Sequence, residues 1–348
     1  MSATEQRRYP KDGLGRRLRG RRTPSGKRIV LTMRDVEILT ILKRYRFLRS
    51  TTIWQLLPEE LRGRSFKRFQ DRLTDLFHET HTQHAGAYLD WPSQQRQSFD
   101  ARYSPSIYAL SDVGKTALDE LGIEVDAVTN LRVPGNRGNA KDFAHMLMIC
   151  DTLASIEIGT KRASNIRFIP WPEILRKAPL AGCERGVISL PVTISNRFSD
   201  RQKLKMQSFN LEPDGLFGLE YKQPTGRKLY RFFALEAERR NKVRTTSLKG
   251  SSYLKKILAY RYILESEIYK TELGLPNLLI LTVTPNNARI RTMKEAVTSI
   301  YGPKGSANFL FHSIPVHGEI SMQPDSFPDL FAEPWERAGY APFYVNLI

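Results

Sequence analysis

The chain has 348 residues, 41% of them hydrophobic and 26% charged. That is long enough for two or three domains and, at a mean hydropathy of −0.41, too polar for a membrane-embedded protein. Lysine and arginine outnumber the acids 54 to 36, a net charge of +18, which is silent on fold but favours polyanionic partners, nucleic acid first and an anionic membrane surface second.

No run of about 18 apolar residues stands out, and residues 1–28 lack the apolar core of a leader peptide, so neither a spanning helix nor secretion is expected. Cys150 and Cys183 sit in no metal-type spacing, and the reduced cytoplasm is the expected compartment. Residues 1–28 hold ten basic residues, Arg21 and Arg22 among them, against Glu5 and Asp12. With Gly and Pro throughout and few apolar residues, the stretch reads as a disordered basic arm that orders on phosphates; the plainer reading is a solubilising tail.

Residues 29–122 read as a compact helical unit with a hairpin. Thr32 is an N-cap with Asp35 three residues on, a capping-box-like start for a helix carrying Val36, Leu39 and Leu42. A short turn at 44–49 leads to a short helix over 51–57, ended by Pro58. A third helix over 64–78 places Phe66, Phe69, Leu73 and Leu76/Phe77 on one stripe and Arg64, Lys67, Arg68 and Arg72 mostly off it. Two β-like stretches, 87–91 and 106–110, flank a polar segment, and Ser111 caps a last helix over 112–121. Helix, short helix, basic amphipathic helix, hairpin and helix is the order of a winged helix-turn-helix, whose third helix enters a major groove; other three-helix bundles share the pattern. Arg64, Lys67, Arg68 and Arg72 are the candidate DNA contacts, some of them to phosphates alone.

Residues 123–138 read as a Pro/Gly/Asn linker. Beyond it the pattern predicts an apolar helix over 140–158, a strand over 165–169, a loop-rich stretch with Trp171, Pro172 and Pro179, and β-rich segments over 209–220 and 228–237 around Pro224-Thr225-Gly226. It then predicts a helix over 251–271, a buried strand over 278–282, a helix over 286–300 and a strand over 309–314. The Pro-rich tail, with Trp335, Tyr340, Phe343 and Tyr344, reads as a strap packed over this second domain, its aromatics better explained by core packing than by docking to a relaxosome.

The acids of the second domain carry its candidate chemistry. Asp214 precedes one strand, and Glu236 and Glu238 end the next, sharing a face because they stand two apart. A hairpin from 214 to 236 brings Asp214 beside Glu236, a hard-oxygen set suited to Mg²⁺ or Mn²⁺ and through the metal to a phosphate. Arg239, Arg240, Lys242, Arg244 and Lys249 follow, then Lys255 and Lys256 on the next helix, a basic loop fit for a phosphate backbone. Pro-Asp-Gly is also a plain turn signature, and the glutamates could form a solvent-facing edge paired with arginines. His145, on the apolar helix, reads as an ordinary helix histidine with a minor chance of facing the acids; Asp142 and Glu157 are weaker candidates. His78, His81 and His84 offer no fourth zinc ligand, and Gly302-Pro303-Lys304-Gly305-Ser306 lacks the spacing of a phosphate-binding loop.

The αβββαβ order with Pro213-Asp214 and Glu236-Ala237-Glu238 resembles the PD-(D/E)XK nuclease superfamily. That pattern wants lysine where Glu238 stands; in some branches the neighbouring helix supplies it, which makes Lys256 or Lys255 the candidate, and if neither serves the site binds metal poorly or does not cleave. More narrowly, residues 29–285 resemble the replication-relaxation proteins of plasmids and other mobile elements. The matching residues are Leu31-Thr32-Met33-Arg34-Asp35-Val36-Glu37-Ile38-Leu39, Tyr108-Ala109-Leu110-Ser111-Asp112-Val113-Gly114, Pro213-Asp214-Gly215, Glu236-Ala237-Glu238, and Leu254-Lys255-Lys256 followed by Tyr260. The resemblance implies an α+β/α/β chain, a winged helix joined to a PD-(D/E)XK-like αβββαβ domain (139–315) and a strap (316–348), acting in replication, relaxation or mobilisation. It implies double-stranded DNA as partner, a homodimer and relaxosome or replication proteins as further candidates, and no membrane. Asp214, Glu236 and Glu238 are then metal-site acids and Lys256 the electrostatic stabiliser, with Arg239 and Arg240 on the DNA. The alternative is a non-enzymatic transcriptional or replication regulator that keeps a degenerate nuclease fold for dimerisation or partner binding.

Overall fold

A computed structural model of the chain describes residues 17, 20–97, 105–128, 140–179, 188–195, 206–239, 252–317 and 328–348. The chain divides into two compact units, Met1–Asp126 with Pro134–Ala140, and Ala127–Val133 with Lys141–Ile348. Among the described residues no helix is long and apolar enough to cross a membrane.

In the first unit the capping box at Thr32 opens helix α1 (Met33–Tyr45): Thr32 Oγ1 accepts the Asp35 N–H at 3.3 Å and Asp35 Oδ2 accepts the Thr32 N–H at 2.8 Å. Strand β1 (Phe47–Arg49), where a turn was expected, is followed by α2 (Ser50–Leu56), a single turn α3 (Glu59–Arg62) and α4 (Phe66–His78). Helix α4 buries Phe69, Leu73, Leu76 and Phe77, with Trp54 against the Phe66 and Phe69 rings at 5.6 and 5.0 Å. Strands β2 (Leu89–Asp90) and β3 (Ile107–Leu110) complete a three-stranded antiparallel sheet in the order β1-β3-β2. Helix α5 (Asp112–Glu120) starts on Ser111, whose hydroxyl accepts the Gly114 N–H at 3.0 Å and donates to Ala87 O at 2.6 Å. A Cβ on Gly114 would stand 2.4 Å from Tyr88 O, so glycine is what lets α5 start against the hairpin.

The basic stretch expected to be a disordered arm is, over its described residues, packed against the end of α4. Arg22 donates to Phe77 O (3.1 Å), Leu89 O (2.9 Å) and Asp90 (2.6 Å). The buried Glu79 carboxylate accepts from Arg17 (2.7 Å), the Ser25 hydroxyl (2.8 Å) and N–H (2.9 Å), and the Lys27 N–H (3.2 Å). Buried carboxylates hold such networks because an unpaired charge there is costly. The arm up to residue 16, and residues 18 and 19, lie outside the described residues.

His78 Nδ1 accepts the Thr23 N–H at 3.0 Å. Burial, aided by the Arg17 charge, pushes the His78 imidazole from 6.5 down to about 4. The unfolded chain therefore binds a proton that the fold excludes. The stability this neutral histidine contributes is complete above pH 6.5 and is lost as pH falls through about 4, by up to about 3 kcal/mol. Acid titration of the first unit, followed by circular dichroism, is expected to show that loss, and His78→Asn to flatten it; an unchanged acid limb in the variant would contradict the assignment.

The second unit is mixed α/β. Helix α6 (Ala140–Arg162) precedes a seven-stranded mixed sheet. In spatial order its strands are β4 (Ile166–Pro170), β7 (Gly215–Lys222), β8 (Lys228–Ala237), β9 (Leu279–Thr284), β10 (Ser306–Ser313), β11 (Pro334–Ala338) and β12 (Phe343–Tyr344). Strands β4, β7 and β8 form an antiparallel meander, β8, β9 and β10 run parallel, and β11 and β12 return antiparallel. The parallel steps need crossovers, supplied by α8 (Tyr253–Glu265) with α9 (Ile268–Leu273), and by α10 (Asn287–Tyr301). On one face Phe232, Ala234, Ile280, Phe309 and Phe311 pack with Ile257, Tyr260 and Met293 from the helices. On the other the rings of Phe168, Phe217, Phe233 and Phe343 follow one another at 5.4, 5.0 and 6.5 Å.

Three differences from the expected elements have local causes. Helix α7 (Trp171–Lys177) occupies the expected loop, because Pro170 at the N-cap and Pro172 in the first turn are placed where proline starts a helix. The hairpin β5 (Leu190–Ser195) and β6 (Met206–Leu211) was not expected as a separate sheet. The helix expected over 251–271 breaks at Glu267, whose φ is 55°, dividing α8 from α9. The tail adds β11 and β12 to the sheet, with Trp335 fully buried and its indole N–H donating to Leu330 O at 2.9 Å.

Candidate functional site

The site lies at the carboxyl ends of β8 and β9. Parallel pairing sets Glu236 beside Thr282 and Ala237 beside Val283, and the Glu238 N–H continues the ladder to Val283 O at 2.8 Å. Alternation turns Glu236 and Glu238 to one face, where both are 1% exposed. Lys256, in the first turn of α8, reaches both: its ammonium donates to Glu236 Oε2 and stands 2.6 Å from Glu238 Oε1. Tyr260, one turn further, donates its hydroxyl to Glu236 Oε1 at 2.5 Å. Ser252 caps this helix, accepting the Lys255 N–H at 3.3 Å, and so fixes the turn that carries Lys256.

Asp214 enters from the start of β7. Gly215 pairs with Leu235, so the Asp214 carboxylate reaches past Glu236 and its Oδ2 accepts the Ala237 N–H at 2.8 Å. Its Oδ1 meets His145 Nε2 at 3.3 Å. Glu236, Glu238, Lys256 and Tyr260 form one bonded cluster, and the Asp214–His145 pair joins it through the Ala237 backbone and through charge, so the histidine given only a minor chance of facing the acids does face one.

The charges shift one another. Burial, with the Asp214 charge, pushes Glu236 from 4.5 up to about 7, although Lys256 and Tyr260 pull the other way. Burial also raises Asp214, but Lys256 and His145 outweigh it and hold that carboxyl below its usual range. Burial opposes the charged form of Lys256, but the three acids overcome it and hold the ammonium well above its usual value. Burial thus favours the protonated form of Glu236 while neighbouring cations favour the ionised form of Asp214, the opposed environments that catalytic acid pairs also show.

Among the described residues no three His, Cys, Asp or Glu side chains converge on a single metal position. Glu236 and Glu238 share Lys256, whose charge also acts on Asp214; such hard carboxylates suit Mg²⁺ or Mn²⁺, because Mg²⁺ commonly takes one or two carboxylates and keeps several waters. Asp214 and Glu236 are the two that would hold it. Glu157 is buried but lies about 18 Å of helix beyond His145, apart from the network; the Asp142 side chain is outside the described residues, as are Arg240, Lys242, Arg244, Lys249 and Cys183. Arg239 donates to His317 O at 3.1 Å, and His317 Nε2 meets the buried Asp151 at 3.1 Å, a pair no local pattern announced.

Of the candidate DNA contacts in the first unit, Arg21, Arg64, Lys67 and Arg68 are exposed. Lys67 pairs with the exposed Asp71 on its own helix. Arg72, expected on the DNA, turns inward instead: its Nε and Nη2 grip the fully buried Asp35 at 2.9 and 2.6 Å and Nη2 also donates to Val30 O at 2.8 Å, which makes it a brace between α4 and the start of α1. Arg22 is likewise committed to internal partners. The three histidines face backbone groups: His78 accepts from Thr23, His81 accepts from Gln83 N–H at 3.2 Å, and His84 Nδ1 meets Gly86 O at 2.6 Å.

Compared with protein-family models, with curated proteins and with solved structures, the chain matches none.

Proposed function

We propose that the chain is a DNA-binding protein of a plasmid or other mobile element, acting in its replication, relaxation or mobilisation. The first unit would grip duplex DNA, and the second would act on a phosphodiester at the Asp214–Glu236–Glu238–Lys256 network. One observation carries the reading: at the carboxyl ends of β8 and β9 a lysine from the next helix bridges the buried Glu236 and Glu238, and Asp214, from the start of β7, is fixed on the Ala237 N–H between them. With α7 and the β5–β6 pair set between β4 and β7, and α9 after α8, the succession α6, β4, β7, β8, α8, β9 supports a PD-(D/E)XK-like core, in which Lys256 would serve as the displaced lysine. The order α1, β1, α2, α4, β2, β3 agrees with a winged helix.

In this reading the chain's own groups set the stage. The Ala237 N–H and His145 fix both oxygens of Asp214. Tyr260 and Lys256 fix both oxygens of Glu236. Lys256 supplies positive charge where a phosphate gains negative charge. A divalent ion held by Asp214 and Glu236 would lower the pKa of a water and neutralise charge on the phosphate.

The protein with Mg²⁺ or Mn²⁺ is expected to nick supercoiled plasmid, and EDTA to stop it. The regulator reading has its own support, since Lys256 already neutralises two of the acids; it predicts salt-sensitive operator binding indifferent to EDTA and no nicking. For the first unit, Arg68→Ala is expected to reduce the salt dependence of duplex binding by about one unit of slope. An unchanged slope would remove α4 from the interface.

A further inference from the structure

Arg34, in the first turn of α1, lies half-buried over the turn that joins α3 to α4. A Cβ on Gly63 would stand 3.6 Å from Arg34 Nη1 and, its chain neighbours apart, would meet no other described atom within 4 Å. Arg62, beside that glycine, is used inside the fold: its Nη2 donates to Gln55 O and Leu57 O at 3.0 Å each. Arg34 is not so used. Its Nε is buried without an acceptor, and its guanidinium makes no hydrogen bond or ion pair among the described residues. The acids around it supply none. Asp35 is held by Arg72 and Thr32, and Glu37, Glu59 and Glu60 pair with no arginine among the described residues.

This placement is costly to the free protein. A cation in the first turn opposes the positive end of its helix, and a buried guanidinium nitrogen without an acceptor has lost its hydration uncompensated. Groups that break local preferences in this way gather at functional sites. The turn beneath is unsatisfied too, since neither the Gly63 nor the Arg64 N–H meets an acceptor among the described residues. Arg64 and, one turn into α4, Arg68 are exposed and make no ion pair among the described residues. The Ser65 hydroxyl already accepts the Arg68 N–H at 3.3 Å, so the unmet positive charge here belongs to side chains and not to the end of α4.

We infer that Arg34 binds a backbone phosphate of duplex DNA seated on the Gly63–Arg64 turn. The planar guanidinium fork matches two phosphate oxygens. Such a contact positions the duplex without reading its sequence, so α1 sets the register from which α4 meets the bases. This rests on the duplex-binding reading of the first unit and is independent of the chemistry at Asp214.

The test is fluorescence anisotropy of the full chain with short labelled duplexes of two unrelated sequences over a range of KCl, beside thermal unfolding of the free protein. Arg34→Met is expected to weaken binding to both duplexes about tenfold and to lower the salt slope by about one unit. Arg34→Lys should restore the slope but only part of the affinity, because the charge returns without the fork. Methionine keeps most of the stem's packing, so Arg34→Met should unfold at a temperature no lower than that of the unaltered chain; a lower one would mark the arginine as structural and overturn the inference. Affinity and slope in both variants equal to those of the unaltered chain would overturn it too, and leave the DNA-binding reading standing. An unaltered chain that binds neither duplex overturns both.

Discussion

Lys256→Met is expected to destabilise the second unit by about 3–5 kcal/mol at neutral pH, because it leaves buried carboxylates without their cation. Lys256 is the shared partner of Glu236 and Glu238, both 1% exposed, and its charge also acts on Asp214. Methionine keeps most of the stem's packing and removes only the charge. The loss should depend on pH in a defined direction. Glu236 already titrates near 7, and without Lys256 its folded value rises further. A carboxyl raised above its unfolded value contributes stability while protonated and loses it as pH climbs, so the variant should be nearer to the parent at pH 5 than at pH 8. Thermal unfolding at the two pH values measures this. An equal deficit at both would mean that the lysine acts by packing and not by charge.

The parts of the fold legible in the sequence are those set by near neighbours. Thr32 with Asp35 gives a capping box because both bonds close within one turn. Glu236 and Glu238 share a face because alternation is a property of any strand, and Asp214 joins them because a hairpin brings its own ends together. What was hidden depends on distant partners. Residues 20–28 have the composition of a disordered arm, but Arg22, Thr23 and Ser25 are anchored to Phe77, His78 and Glu79, and nothing within the arm reveals those partners.

Arg72 was legible in principle. It stands three residues after Phe69 and four before Leu76, both buried, so helical spacing puts it beside the buried stripe, while Arg64, Lys67 and Arg68 face outward. The His317–Asp151 pair had no such signal, since it forms through a return of the chain from 166 residues away. Helix α7 falls in a stretch whose prolines suggest a loop, yet Pro170 at the N-cap and Pro172 in the first turn stand where proline starts a helix.

The same network gives the largest expected effect on activity. Asp214 is the acid that joins the two strands, and both of its oxygens are directed by neighbours, Oδ2 by the Ala237 N–H and Oδ1 by His145. Replacing it removes a charge that would hold a divalent cation and frees His145, whose pKa, against the effect of burial, Asp214 holds up. Asp214→Asn keeps the shape and an acceptor for the Ala237 N–H, so it isolates the charge; Asp214→Ala removes both. Loss of a metal-holding group costs at least about a hundredfold in rate. The most direct measurement is therefore nicking of supercoiled plasmid in Mn²⁺ by the unaltered chain, Asp214→Asn and Asp214→Ala, with duplex binding measured on the same samples. The account predicts at least about a hundredfold loss of nicking in both variants with duplex binding unchanged; nicking by either variant at the rate of the unaltered chain would contradict it.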